Sequence, residues 1–338
     1  MKFTPVHFLL VFMVTGSNLS AQTIKGKLLD SATGNAVPFA NVYFNASFRG
    51  TTSDGNGLFS LDVSEFYGQE IVISCVGYEP LTIKEYKFTK FYEIYLKPQV
   101  VMLEELVIEP DDMPRQDKLE VFIKEFIGDS PQAKQCTINN LDELRLVYFK
   151  STSTLEGYSD KPLRIHNRAL GYRIKYFLEE FKKSEKHFGY RGNSLFEENI
   201  TLNRRELRRV ERKRKSVYYG SRMHFFRALW SGQLKHEKFI VMNRDDWSEL
   251  SATEIVQTDS EDQNIKYLLP VAPLRIIYKE EHSNIDFEGD EKVLFTKNGY
   301  FNPNHLRWEG VMARHRIGDL LPYGYWPEGR QTESVFPE

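Results

Sequence analysis

Twelve residues, Arg204 to Lys215 (RRELRRVERKRK), gather eight cations in one run: Arg204, Arg205, Arg208, Arg209, Arg212, Lys213, Arg214 and Lys215. Guanidinium and ammonium groups at this density suit phosphates and carboxylates. Nucleic acid, anionic lipid or polysaccharide, and an acidic partner protein are therefore the ligands to weigh. Helical spacing puts Leu207 and Val210 on one side, continued by Val217, Ser221 and Phe225 and widened by Phe226, Leu229 and Trp230. One basic helix is predicted from about 203 to 230, with the cations on its other faces. Glu206 and Glu211 stand where they can pair with basic neighbours three or four residues on. The plainer reading is a solvated face, neutralised in part by Asp245, Asp246 and Glu249.

Just beyond, YGSRMHFFRAL sets His224 and Arg227 three apart, on neighbouring turns, where they could line a polar pocket. A histidine beside phenylalanines also serves as a hydrogen-bonded packing residue. Trp230, Trp247, Trp308 and Trp326 could stack on sugars, although aromatic side chains more often fill cores.

Other catalytic arrangements are missing from the sequence. A hydrolytic zinc site needs three protein ligands and an open position for water. None of the eight histidines is followed three residues later by Glu, and there is no HExxH, so neither a metal site nor a cofactor is expected. There is no G-x-S-x-G elbow, no S-x-x-K pair and no glycine-rich phosphate loop. Glu179-Glu180 and Glu197-Glu198 are adjacent pairs, which do not face one another across a substrate.

The chain has 338 residues, 41% hydrophobic and 14% aromatic, enough for two ordinary domains with real cores. Its net charge of −2 gives no overall field toward nucleic acid. Phe8 to Val14 (FLLVFMV) is too short to span a bilayer and is followed by Leu19-Ser20-Ala21, the pattern of a secretory signal over residues 1–21. Export argues against nucleic acid as a ligand. It leaves the periplasm or the outer-membrane periphery as the expected location. No later run is long and apolar enough for a transmembrane span, and no cysteine sits at the cleavage site for lipid attachment. Cys75 and Cys136 read as two buried thiols, with a bridge between them chemically allowed.

From residue 22 to 98, apolar residues alternate in short runs: Ile24 and Leu28; Ala40, Val42 and Phe44; Phe59, Leu61 and Val63; Ile71, Ile73 and Cys75; Tyr92, Ile94 and Leu96. Period-two spacing with turn residues between predicts about seven antiparallel strands in a small β-sandwich. Ser53 to Gly57 (SDGNG) reads as a hairpin turn rather than a calcium loop, since no helices flank it. Gly26, Asp30, Gly34, Pro38, Ala40, Asn41 and Val42, then Thr52, Asp54, Gly57 and Phe59, then Gly77-Tyr78, resemble the carboxypeptidase-regulatory-like domain. That resemblance implies a transthyretin-like sandwich, common on exported proteins of the Bacteroidetes, with no catalytic residues of its own.

Residues 99–114 read as a linker, apolar at first and ending in acid and proline. Residues 115–338 then read as an α+β domain with antiparallel strands and the long basic helix. It opens with an amphipathic helix (Leu119, Phe122, Ile123, Phe126, Ile127) stopped by Gly128. FIKEFIGDSPQAKQCTINN, PLRIHNRALGYRIKYFLEEF and RIGDLLPYGY resemble an uncharacterised region that follows this sandwich in exported Bacteroidetes proteins; no activity comes with that likeness. The resulting expectation is a non-enzymatic envelope binding or scaffolding protein. Its partner would be an envelope protein or an anionic lipid or polysaccharide. The alternative is an envelope hydrolase for peptide or glycan with a site in the second domain.

Overall fold

The computed structural model describes residues 22–66, 68–87, 90–99, 111–185, 187–198 and 201–327. The predicted signal and residues 100–110 of the predicted linker lie outside the described residues.

The described chain opens with β1 (Thr23–Asp30), β2 (Asn41–Phe44), β3 (Gly50–Thr52), β4 (Leu58–Asp62), β5 (Ile71–Ser74), β6 (Leu81–Ile83) and β7 (Phe91–Leu96). They form two sheets, ordered β4-β1-β7 and β3-β2-β5-β6. The alternation that predicts these strands also closes them. Ile24 and Leu28, Phe59 and Leu61, and Ile94 and Leu96 from one sheet share an interior with Val42, Phe44, Ile71 and Ile73 from the other. Burying each such side chain contributes roughly 1.5–3 kcal/mol.

This is the expected sandwich, with two corrections. Strand β7 runs parallel to β1, so the pairing is not wholly antiparallel. The SDGNG turn is not a hairpin: β3 pairs with β2 and β4 with β1, so the turn carries the chain between sheets. The Asp54 carboxylate is consumed inside that turn, accepting the N–H groups of Asn56 at 2.8 Å and Leu58 at 2.9 Å.

Helix α1 (Arg115–Phe126) ends where expected, with Gly128 at φ +98° donating its N–H to the Lys124 carbonyl at 3.1 Å. Phe122 and Phe126 are buried and stacked at 4.8 Å, whereas Ile123 of the predicted stripe is exposed. They cover an antiparallel sheet built from β8 (Cys136–Ile138), β9 (Leu144–Phe149), β10 (Thr154–Ser159), β11 (Leu163–Asn167), β12 (Tyr172–Lys183) and β13 (Phe188–Glu198). The long β12 organises it. One edge of β12 is shared by β11 and β10, and the other is paired along its length with β13.

The predicted basic helix is two helices. Helix α2 (Arg204–Tyr218) packs Val217 and Tyr218 into the core under α1. Helix α3 (Arg222–Trp230) packs Phe225, Phe226 and Leu229 into a separate core. That core lies against β14 (Phe239–Asn243), the short α4 (Ala252–Ile255), β15 (Val256–Thr258), β16 (Lys266–Leu268), β17 (Leu274–Tyr278), β18 (Glu281–Phe287), β19 (Val293–Phe295) and β20 (Leu306–Gly310). These strands form two antiparallel sheets, β14-β17-β18-β20 and β15-β16-β19. A mostly β chain with few helices results, and among the described residues no helix is long and apolar enough to cross a membrane. Cys75 and Cys136 are free thiols, each half-buried.

The sandwich docks on the second region through backbone. The Ser47–Leu195 bridge runs parallel to the free edge of β13, with Ala46 N–H on Ser194 O at 2.8 Å and Phe196 N–H on Ser47 O at 2.9 Å. Asn45 Oδ1 accepts the Ser194 N–H at 2.8 Å, and Tyr323 N–H reaches Ala46 O at 2.8 Å. Tyr43 stacks on Phe177 at 5.2 Å beside them.

The break between α2 and α3 rests on Gly220. It holds φ +84°, and a Cβ there would meet the Tyr278 ring at 2.7 Å. Gly220→Ala is expected to lower unfolding free energy by roughly 1–3 kcal/mol, since it adds left-handed backbone strain to a steric clash. Urea titration measures the loss; an unchanged midpoint would contradict this account of the break.

Candidate functional site

Helix α2 is set by a reciprocal cap. Asn203 Oδ1 accepts the N–H groups of Arg205 and Glu206, each at 3.0 Å, and Glu206 Oε2 accepts the Asn203 N–H at 2.9 Å. The cap consumes Glu206, and Glu211 is consumed by Arg214. Of the predicted acid–base pairs only Glu211–Arg214 forms. The remaining cations divide by position. Arg204, Arg205, Arg208, Arg209, Arg212 and Lys215 are exposed, and among the described residues none has a carboxylate within ion-pair distance. Asp246 is turned into its own loop by Ser248, and Glu249 pairs with Lys235 at 3.0 Å, so neither neutralises this face.

Two residues of the run leave the exposed set. Lys213 is half-buried and donates to Gln135 Oε1 at 3.0 Å, and burial holds its ammonium below the ordinary value. Arg214 is only 2% exposed. Its guanidinium lies 4.0 Å over the Tyr172 ring and donates to Leu170 O at 2.8 Å, Glu211 at 2.8 Å and Glu198 at 3.3 Å. It is a pin between α2 and the large sheet, placed there because it follows Val210 by four residues on the packed side.

His224 and Arg227 are brought together on α3, and both are buried. His224, 2% exposed, accepts the Gly220 N–H on Nδ1 at 3.1 Å and contacts Glu237 Oε2 through Nε2 at 2.9 Å. A neutral ring with its proton on Nε2 satisfies both contacts, and burial, outweighing Glu237, holds the ring below the ordinary histidine value. Arg227, 6% exposed, donates to Asn298 O at 2.9 Å, Tyr323 O at 2.9 Å and Tyr325 O at 2.8 Å, with Trp326 stacked 3.8 Å away. Every direction of its fork is taken by the chain itself. Of the tryptophans, Trp230 and Trp308 pack against the α3 core, Trp326 lies under Arg227, and Trp247 is exposed beneath Arg275.

A cavity of about 320 Å³ lies where the sandwich, the β12–β13 hairpin, the start of α3 and the segment 300–323 meet. Its lining includes Arg222, Arg316, Tyr190, Tyr323, Ser221 and His315. Burial and the two arginines push His315 down to about 4, so its ring is neutral near pH 7. His315 makes no hydrogen bond to a hydroxyl, thiol or carboxylate among the described residues. Those residues also hold no cluster of three or more metal-ligating side chains. Sequence reading missed this site because its residues are scattered from 45 to 323. Ser221, Arg222 and Met223 fall in the stretch YGSRMHFFRAL, and Arg316 to Tyr323 fall in RIGDLLPYGY, but nothing local to either stretch shows that the two meet.

Residues 24–108 match the model of the CarboxypepD_reg-like domain. The match takes in the whole sandwich, and so the Asn45–Phe48 segment that docks on β13 and the Asn45 and Ala46 that wall the cavity. No curated protein matches the chain. Among solved structures, it is similar to a "putative membrane-associated protein of unknown function" from Bacteroides fragilis NCTC 9343, at 15% identity over 46% of this chain and 65% of that one, with a TM-score of 0.18. The chain thus spans just under two thirds of that neighbour's length, and the likeness is too distant to transfer fold or function.

Exposed and buried arginines of α2 should separate sharply by stability. Arg214→Ala strands Leu170 O and two carboxylates and is expected to cost about 2–4 kcal/mol. Arg208→Ala should stay within about 0.5 kcal/mol. Chemical denaturation of both variants reads the difference; similar costs would contradict the division.

Proposed function

We propose that this chain is an exported cell-envelope binding or scaffolding protein, whose CarboxypepD_reg-like domain is docked on a second region that presents the outer face of α2 to an anionic partner. The reading rests on one observation. Six cations stand exposed along two turns and more of one helix, while the helix's own acids are spent on its cap and on Arg214. An unneutralised face of this kind is maintained against its own like-charge repulsion. It attracts acidic protein surfaces or anionic headgroups and polysaccharide at the membrane periphery. Nucleic acid is set aside by the export reading, and hydrolysis is the second reading only through the unassigned cavity.

The test is co-purification from native envelope and co-sedimentation with vesicles containing phosphatidylglycerol. The mature chain is compared with a variant in which Arg204, Arg205, Arg208 and Arg209 are changed to Glu. The variant is expected to fold normally and to lose the partner or the vesicles. Wild-type binding should weaken as salt shortens the screening length from about 10 Å at 0.1 M toward 3 Å at 1 M. Equal recovery with both proteins would mean that the face is solvated structure only.

A further inference from the structure

The cavity at the junction contains a cation that has no partner among the described residues. Arg222 is half-buried, heads α3, and makes no hydrogen bond or ion pair among the described residues; its guanidinium lies 5.9 Å over the Trp308 ring. Its neighbours in the lining do not neutralise it. Arg316 is a second cation, 4.7 Å over Phe188, with one nitrogen donating to Ala313 O at 2.5 Å and His315 O at 3.4 Å and, among the described residues, no partner for the rest of its fork. Arg191 is already paired with Glu179 and Glu180 at 3.1 and 3.3 Å. Asp319 is the one carboxylate in the lining, and it is engaged by the Ser130 hydroxyl at 2.7 Å and by Arg316 rather than by Arg222; burial raises it above the ordinary carboxylate value. Tyr190 and Tyr323 line the same space, and among the described residues neither hydroxyl has a hydrogen-bond partner. Ser221 Oγ accepts only the His224 N–H at 3.2 Å, which leaves its proton free to donate. Around these donors stand apolar walls from Met223, Phe301 and Leu320.

A guanidinium at a cavity wall with no anion beside it is costly, and the hydroxyls around it are free to turn their protons toward a bound anion. We propose that the cavity binds a small organic acid, its carboxylate held by Arg222 with the Tyr190 and Tyr323 hydroxyls and its apolar body lying along Met223, Phe301 and Leu320. The planar fork of arginine suits a carboxylate. The apolar walls favour an acid with a hydrocarbon body over a bare inorganic anion, which would leave them wet. The site is separate from the α2 face and stands or falls independently of it. Because Asn45 and Ala46 complete its wall, the acid would bind only while the sandwich is docked.

The test uses the mature chain labelled with [methyl-13C]methionine, titrated with sodium hexanoate, 1-hexanol and inorganic phosphate at millimolar concentration. Met223 lies in the cavity and is assigned through Met223→Leu; Met242, on β14, serves as the remote reference. Hexanoate is expected to shift Met223 saturably and leave Met242 in place. Hexanol and phosphate should each bind more weakly by roughly tenfold or more, because each lacks one half of the recognition. Arg222→Met should weaken hexanoate roughly ten- to a hundredfold, and the Glu-substituted α2 variant should bind it as wild type does. A Met223 resonance unmoved by hexanoate overturns the proposal on the wild-type protein alone. So does hexanol or phosphate binding as well as hexanoate, or undiminished binding to a folded Arg222→Met protein.

Discussion

The free edge of β13 is the constraint on which the arrangement turns. A strand edge exposes a row of N–H and C=O groups that must find water or a partner, and an uncovered edge invites pairing with other chains. Here the Asn45–Phe48 segment of the sandwich covers it, with Ala46 and Ser47 exchanging backbone hydrogen bonds with Ser194 and Phe196 and the Asn45 side chain capping the Ser194 N–H. Phe48 follows the backbone inward and packs on Tyr172 and Phe196, so the same segment joins the large-sheet core. Tyr323 then bonds to Ala46 from the far end of the chain. Three stretches distant in sequence are thereby held at one place, and the cavity is the space left between them.

Two arginines hold the rest in register in the same manner. Arg214 ties α2 to the turn before β12 through Leu170 O, and Arg227 ties α3 to the chain at Asn298, Tyr323 and Tyr325. Both satisfy carbonyls at points where no regular ladder does so, and both are buried against aromatic rings. Their neighbours in sequence, Arg208 and Arg222, have the same side chain but no acceptor among the described residues. The chemistry open to binding is therefore found in the arginines that the fold leaves unused.

Much of the fold could be read from the chain because one-sided burial writes itself into local spacing. The alternation of Ile24, Leu28, Phe59, Leu61, Ile71 and Ile73 marks the sandwich, and the spacing of Phe122 and Phe126 with Gly128 marks α1 and its end. Strand β13 was missed because Gly189, Gly192 and Asn193 break its alternation, and its edge is satisfied by a segment some 150 residues earlier. The apolar stripe from Leu207 to Trp230 runs on through Gly220 and hides the break between α2 and α3; the Tyr278 ring that closes over Gly220 comes from another part of the chain. Arg214 follows Val210 on the packed side, but nothing local shows what receives its charge, since Tyr172 and Glu198 come from two other elements, β12 and β13. The cavity left no local pattern at all, because its walls meet only when the sandwich docks.

The central claim is that the sandwich is seated on β13 as part of one structure. Native-state amide hydrogen exchange of Ala46, Ser194, Phe196 and Tyr323 tests it most directly, since these four N–H groups bond across the junction. The account predicts that they exchange as slowly as strand amides within the large sheet, such as Ile174. Exchange of all four at the rate of exposed loops, with Ile174 still protected, would contradict it and leave the sandwich free of the second region.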